Sequence, residues 1–269
     1  MKVLNKVFVV SGGGSGMGRE LVLLLLKKGA RVAAVDINSD TLQETLSLSG
    51  DKKELVSAHV LDITDQAAVA ALPDQVIAAH GAVDGVINNA GIIQPFVRIN
   101  DLEYEAINRV LNINLYGLIY MTKAFLPHLL KRPEAHIINI SSMGGFLPVP
   151  GQTIYGASKA AVKLFTEGLN SELLDSNVRV TVVFPGAIET NITVNSGVAI
   201  PGSAGDAESS GMSALPADKA AEIIVDGIEK DSYRILVGSD AKLMDFISRL
   251  SPERAAKFIY KQMKSLLPA

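Results

Sequence analysis

The chain of 269 residues contains no cysteine, which excludes a disulfide framework and any thiolate metal site. Its four histidines, His59, His80, His128 and His136, show no ligand-like spacing, so the sequence predicts no metal centre. It also lacks a dense Lys/Arg run; with a net charge of -3 and a pI near 5.8 it has no basic field to track phosphates, and nucleic acid is excluded as a partner. No apolar run is long enough to span a bilayer. The N-terminal stretch MKVLNKVFVVSGGG breaks off at a glycine-rich turn, so no export signal is expected and the location read from the sequence is cytoplasmic. Asn139-Ile140-Ser141 and Asn191-Ile192-Thr193 match the glycosylation pattern, but without a secretory context both are discounted.

What the chain has is core. Hydrophobic residues make up 48% and charged residues only 20%, a composition that folds and buries well. Short Val/Ile-rich runs alternate with segments of helical periodicity, the pattern of successive βαβ units around a parallel sheet. Strands are predicted near Val7–Val10, Arg31–Val35, Leu55–Leu61, Gly85–Asn88, His136–Ile140, Val178–Phe184 and Arg234–Val237. Helices are predicted near 17–28, 40–47, 65–79, 101–130, 153–175, 216–230 and 240–267. No linker, charge block or internal repeat divides the chain. Asn195–Ala214, rich in Gly, Ser and Ala, reads as an irregular loop that closes over a ligand.

The first strand runs into Ser11-Gly12-Gly13-Gly14-Ser15-Gly16-Met17-Gly18 and then a helix. Such a turn lets the backbone approach a pyrophosphate, which the unpaired N–H groups and dipole of the helix N-terminus hold. A second strand ends at Asp36, where an acid can accept hydrogen bonds from a ribose 2′-OH and repel a 2′-phosphate. Ile37, Asn38 and Ser39 offer no cation beside it. This favours NAD(H) over NADP(H), although Asp36 can equally be a helix N-cap or a solvated strand-end acid. Asp62-Ile63 and Asn88-Asn89-Ala90-Gly91 end the third and fourth strands, where ligands of open α/β sheets bind. Asp62 and Ile63 can flank an adenine, and Asp62 can equally cap the next helix.

Tyr155-Gly156-Ala157-Ser158-Lys159, with Ser142 upstream, places a phenol, an ammonium and a hydroxyl where they can handle one proton. Residues four apart share a helix face, so the ammonium favours the phenolate and makes Tyr155 a candidate general acid/base.

Together these motifs resemble the short-chain dehydrogenase/reductase family over about residues 5–240. Gly12-x-x-x-Gly16-x-Gly18 is similar to its coenzyme motif, Asn88-Asn89-Ala90-Gly91 to its sheet-stabilising motif, and Tyr155-x-x-x-Lys159 with Ser142 to its active site. Ser11 stands where the family more often has Thr. The fold class implied is α/β: a single Rossmann-like doubly wound parallel sheet of about seven strands over 1–269, with 240–269 a C-terminal helical extension. The resemblance implies an oxidoreductase moving hydride between NAD(H) and an alcohol or ketone. In it Tyr155 is the acid/base, Lys159 lowers its pKa and binds ribose, Ser142 orients the substrate oxygen, and Asn114 anchors a water in a proton relay. Cofactor contacts are expected from Ser11, Gly12, Gly14, Ser15, Gly16, Met17 and Gly18; from Asp36, Ile37, Asp62 and Ile63; from Asn89, Ala90 and Gly91; from Tyr155 and Lys159; and from Pro185, Gly186, Ile188 and Thr190. A homodimer or homotetramer through 101–130 and 153–175 is also implied.

Substrate-pocket residues are expected at Ile93, Ser142, Gly144, Phe146, Tyr155 and Gly186, in an apolar surround with no fixed Arg or Lys, which suits an uncharged or lipophilic alcohol or ketone. After Gly238 two amphipathic helices carry Lys257, Lys261 and Lys264; such a tail packs on the body more often than it lies on an anionic membrane. Two other readings stand beside the leading one: a non-catalytic dinucleotide sensor, and a membrane-surface lipid or steroid dehydrogenase.

Overall fold

The computed structural model describes residues 1–199 and 214–267. Seven parallel strands form one sheet in the order β3-β2-β1-β4-β5-β6-β7. They are β1 Val7–Ser11, β2 Arg31–Asp36, β3 Val56–Val60, β4 Gly85–Asn88, β5 Ala135–Ile140, β6 Val178–Pro185 and β7 Arg234–Val237. The helices between them are α1 Gly16–Lys27, α2 Ser39–Leu48, α3 Gln66–His80, α4 Tyr104–Leu111, α5 Leu118–Leu129, α6 Thr153–Glu172, α7 Ile192–Ser196 and α8 Ala217–Glu229; α9 Ser239–Leu250 and α10 Pro252–Met263 follow β7.

Strand alternation explains why the strands read as unbroken apolar runs. Phe8 and Val10 of β1 join one core with Leu21, Leu25 and Ile224, while Val7 and Val9 join the opposite core with Leu72, Met121 and Phe125. Both faces of the sheet are covered, so the central strands are buried along both faces and read as mainly apolar runs. The strand order reverses between β1 and β4, and the crevice at their carboxyl ends is where an α/β sheet of this kind takes a ligand.

Three local features depart from the sequence expectation. The helix predicted over 101–130 is interrupted by a π-helical stretch, Asn112–Gly117, between α4 and α5. A 3₁₀ turn, Gly50–Leu55, leads into β3. The segment predicted as the loop Asn195–Ala214 begins inside α7, whose last residues are Asn195 and Ser196; residues 200–213, including Asp206 and Glu208, lie outside the described residues. Asn139 is fully buried in β5, which explains why its glycosylation pattern is spurious. No described helix is long and apolar enough to cross a membrane.

Candidate active site

The glycine turn is held by close packing. A methyl group on Gly18 would stand 1.9 Å from the Gly12 carbonyl oxygen, so the first turn of α1 lies directly against the end of β1. Gly12 and Gly16 have φ of 68° and 50°, the left-handed region that glycine adopts without strain. Ser11 and Gly14, expected at the ligand, turn away from it. The Ser11 hydroxyl accepts the N–H groups of Asn89 and Ala90 at 3.0 and 3.1 Å, clasping β1 to the end of β4. Gly14 gives its N–H to Asp36 Oδ2 at 3.0 Å, and its carbonyl accepts from Arg19 Nη2 at 2.7 Å. Arg19, in the first turn of α1, also pairs with Glu44 at 2.6 Å and holds that carboxyl below its ordinary range.

A cavity of about 1220 Å³ runs from this turn across the carboxyl ends of the strands. At one end are Gly12, Ser15, Gly16, Met17 and Gly18, with Asp36 and Ile37 beside them. Asp62 and Ile63, then Asn89, Ala90 and Gly91, follow along one wall, and Pro185, Gly186, Ile188 and Thr190 along another. Neither acid is a helix cap: Asn38 caps α2 and Asp65 caps α3. Asp62 Oδ1 instead accepts from the N–H and hydroxyl of Thr64, both at 2.8 Å. Ile63 packs against Gly117 in the π-helical stretch, where a methyl would come within 2.6 Å of it. The cradle of close-packed glycines, an acid at the end of β2 that forms no ion pair among the described residues, and an apolar wall at Ile63 fit a dinucleotide.

Ser142, Tyr155 and Lys159 line the other end, with Ile93 and Gly144. Tyr155 and Lys159 lie one turn apart on α6, whose start is fixed by the buried Gln94: its Oε1 accepts the N–H groups of Ile154 and Tyr155 at 2.7 and 3.0 Å. The Ser142 hydroxyl accepts the Gly144 N–H at 3.0 Å. Burial pushes the Tyr155 phenol up, opposed by its hydrogen bond with Ser142. Burial draws Lys159 down to about 8. Lys159 Nζ gives its bond to the Ile140 carbonyl rather than to the phenol, so the expected lowering of Tyr155 by Lys159 is not what governs the protein alone.

Asn114 sits behind this wall, fully buried in the π-helical stretch. Its Oδ1 accepts the Ile92 N–H at 2.8 Å, and its Nδ2 donates to the Ile92 carbonyl at 2.9 Å and to Ser158 Oγ at 3.0 Å. A methyl on Gly91 would stand 3.1 Å from Lys159 Nζ and 3.3 Å from Asn114 Oδ1, so a larger residue there would press on both side chains.

Phe146, expected in the substrate pocket, is not there. Its ring meets Phe184 edge-on at 5.4 Å, and Arg234 lies over Phe184 at 4.3 Å. Two residues that the sequence did not flag are in the cavity wall. Arg109 of α4 lines it and donates Nη1 to the Ser196 carbonyl at 3.1 Å, so the wall does hold a cation. Met263 of α10 lines it from the C-terminal extension. Neither position carries a local motif; only the packing of α4 and α10 brings them to the site.

The family model for short chain dehydrogenases matches residues 6–199. SadH of Mycobacterium tuberculosis is 38% identical over 257 residues, covering 91% of each chain. A 3-ketoacyl-(acyl-carrier-protein) reductase from Brucella melitensis, solved with NADH, is 27% identical at a TM-score of 0.75, over 87% of this chain and 96% of that one. A short chain dehydrogenase from Burkholderia cenocepacia, solved with NADP, is 25% identical at a TM-score of 0.80, over 96% and 99%. The chain belongs to the short-chain dehydrogenase/reductase family and is an oxidoreductase of that class.

Proposed function

We propose that this protein interconverts a secondary alcohol and a ketone, using NAD(H) in preference to NADP(H). The observation that carries the reading is the convergence of Ser142, Tyr155 and Lys159 on one wall of a cavity whose far end is the glycine turn. The nicotinamide supplies the hydride chemistry when bound. Backbone N–H groups at Ser15 to Gly18 would hold the pyrophosphate and Asp36 the adenosine ribose, with Asp62 and Ile63 available to the adenine. Lys159 would hold the other ribose, and Gly186, Ile188 and Thr190 would receive the nicotinamide.

Tyr155 gives its proton to the carbonyl oxygen in reduction and takes one from the alcohol in oxidation. Ser142 donates to that same oxygen and fixes its position; one such donor is worth about 2.7–4 kcal/mol in the transition state. The Lys159 ammonium stabilises the phenolate as it forms in a desolvated site. Asn114 holds Ile92 and Ser158 on either side, and its Oδ1 keeps a second lone pair for a relay water.

The preference for NAD(H) rests on Asp36 and on the prior engagement of Arg19 by Gly14 and Glu44, which leaves no free cation beside Asp36 among the described residues. Ile92, Ile93, Val149 and Met263 make the substrate end apolar. Arg109 has one N–H committed to Ser196. The apolar lining supports an uncharged or lipophilic substrate. We place the enzyme in the cytoplasm as a homodimer or homotetramer built from a single dinucleotide-binding domain.

The test is reduction of a panel of ketones, diketones, steroids and acyl-thioesters with NADH and NADPH, by wild type and Tyr155→Phe. The variant loses turnover and keeps its affinity for NADH; substantial residual turnover overturns the assignment.

A further inference from the structure

The C-terminal helices bury one face and leave another uncovered. On α9, Ala241, Met244 and Asp245 are buried, while Leu243, Phe246 and Leu250 are 56%, 63% and 71% exposed. The i, i+3, i+7 spacing sets these three in one stripe. On α10, Ala255 and Ile259 face the core, joining Leu147 and Met244, and Arg254, Phe258 and Lys261, spaced i, i+4, i+7, share an exposed face. Packing on the body therefore accounts for half of each helix.

Charge identifies what covers the rest. Residues 239–267 carry six basic and three acidic side chains, whereas the remainder of the chain carries 19 basic against 25 acidic. Arg249 and Lys257 are paired within their own helices, with Asp245 and Glu253. Lys242, Arg254, Lys261 and Lys264 form no ion pair among the described residues. An apolar stripe flanked by free cations suits an anionic lipid surface, where the apolar side chains enter the acyl boundary and the cations meet headgroups. A second copy is disfavoured, because it would bring the same excess of positive charge to the contact.

We propose that α9 and α10 dock this protein on anionic membranes. No described helix can cross a bilayer, so the contact is peripheral. Because α10 also carries Met263 into the cavity wall, the docked face stands beside the substrate end, and a lipophilic substrate is delivered from the membrane. Only that last consequence rests on the proposed reaction.

The test is flotation of the full chain with vesicles of phosphatidylcholine alone and of phosphatidylcholine with phosphatidylglycerol. Wild type floats with the anionic vesicles, roughly tenfold more than with neutral ones, and raised salt releases it. Leu243→Ser with Phe246→Ser, and separately Arg254→Ser with Lys261→Ser, lose that binding, while unfolding midpoints stay at the wild-type value. Absence of wild-type flotation, or full binding by either double variant, overturns the proposal. So does an oligomer that dissociates in Leu243→Ser/Phe246→Ser, since a second copy is then what covers the stripe. Flotation needs no turnover, so it fails or succeeds independently of the reaction.

Discussion

Lys159 Nζ donates to the carbonyl of Ile140 at 3.0 Å, tying α6 to the last residue of β5. The ammonium is thereby held at the cavity wall at the cost of burial, which brings its pKa to about 8 from 10.5. Between those values the unfolded chain binds more protons than the folded one, so stability rises with pH across that window and the penalty is full below it. Relative to Lys159→Met, wild type gains a few kcal/mol from about pH 7 to about pH 10. Urea unfolding of both proteins across that range checks it, and a pH-independent gap contradicts it.

Acid acts through His136. Burial outweighs the nearby Asp231 and takes the imidazole from 6.5 to about 3. Its Nε2 is bonded to Thr181 Oγ1 at 2.7 Å, while Nδ1 has no hydrogen-bond partner among the described residues. The folded protein keeps it neutral while the unfolded chain takes up a proton, so stability is lost as pH falls from 6.5 towards 3. His136→Gln should flatten the acid limb of a stability-versus-pH curve, measured by thermal unfolding.

One substitution at two glycines should have opposite effects. Gly18→Ala places a methyl 1.9 Å from the Gly12 carbonyl oxygen. It should cost about 3 kcal/mol or more and abolish dinucleotide binding. Gly168, inside α6, has nothing within 4 Å of such a methyl. Gly168→Ala should stabilise by about 0.5–1 kcal/mol and leave binding unchanged. Denaturant titration and NADH fluorescence distinguish the two.

Cofactor choice is tested at the end of β2. Asp36→Ala with Ile37→Arg removes the acid and adds a guanidinium where Ile37 is 67% exposed at the cavity. NADPH affinity should rise relative to NADH, on the order of tenfold, as one favourable charge pair replaces a repulsive one. Wild type that already binds NADPH more tightly refutes the role given to Asp36.

The sheet was legible because both faces of each central strand are buried, leaving Val/Ile runs that need no partner to be recognised. Gly12, Gly16 and Gly18 were legible because a tight turn admits little else. What the sequence left hidden depends on contacts far along the chain. In the π-helical stretch Asn112–Gly117, Asn114 bonds the backbone of Ile92, a contact that nothing in the local composition signals. Phe146 read as a pocket residue because it follows Ser142, yet Phe184 and Arg234 offer its ring a packed site. Arg109 and Met263 reach the cavity only through the placement of whole helices.

Asn114 reaches 22 residues back to Ile92 and 44 residues forward to Ser158. No single βαβ unit contains all three, so this corner closes only after the units on either side of β5 have docked, each at its own loop-closure cost. A refolding chain can therefore build the glycine turn early, from β1 and α1, and hold a phosphate before it can move a proton. Recovery of dinucleotide binding should run ahead of recovery of turnover, and the lag between them times the last step of folding.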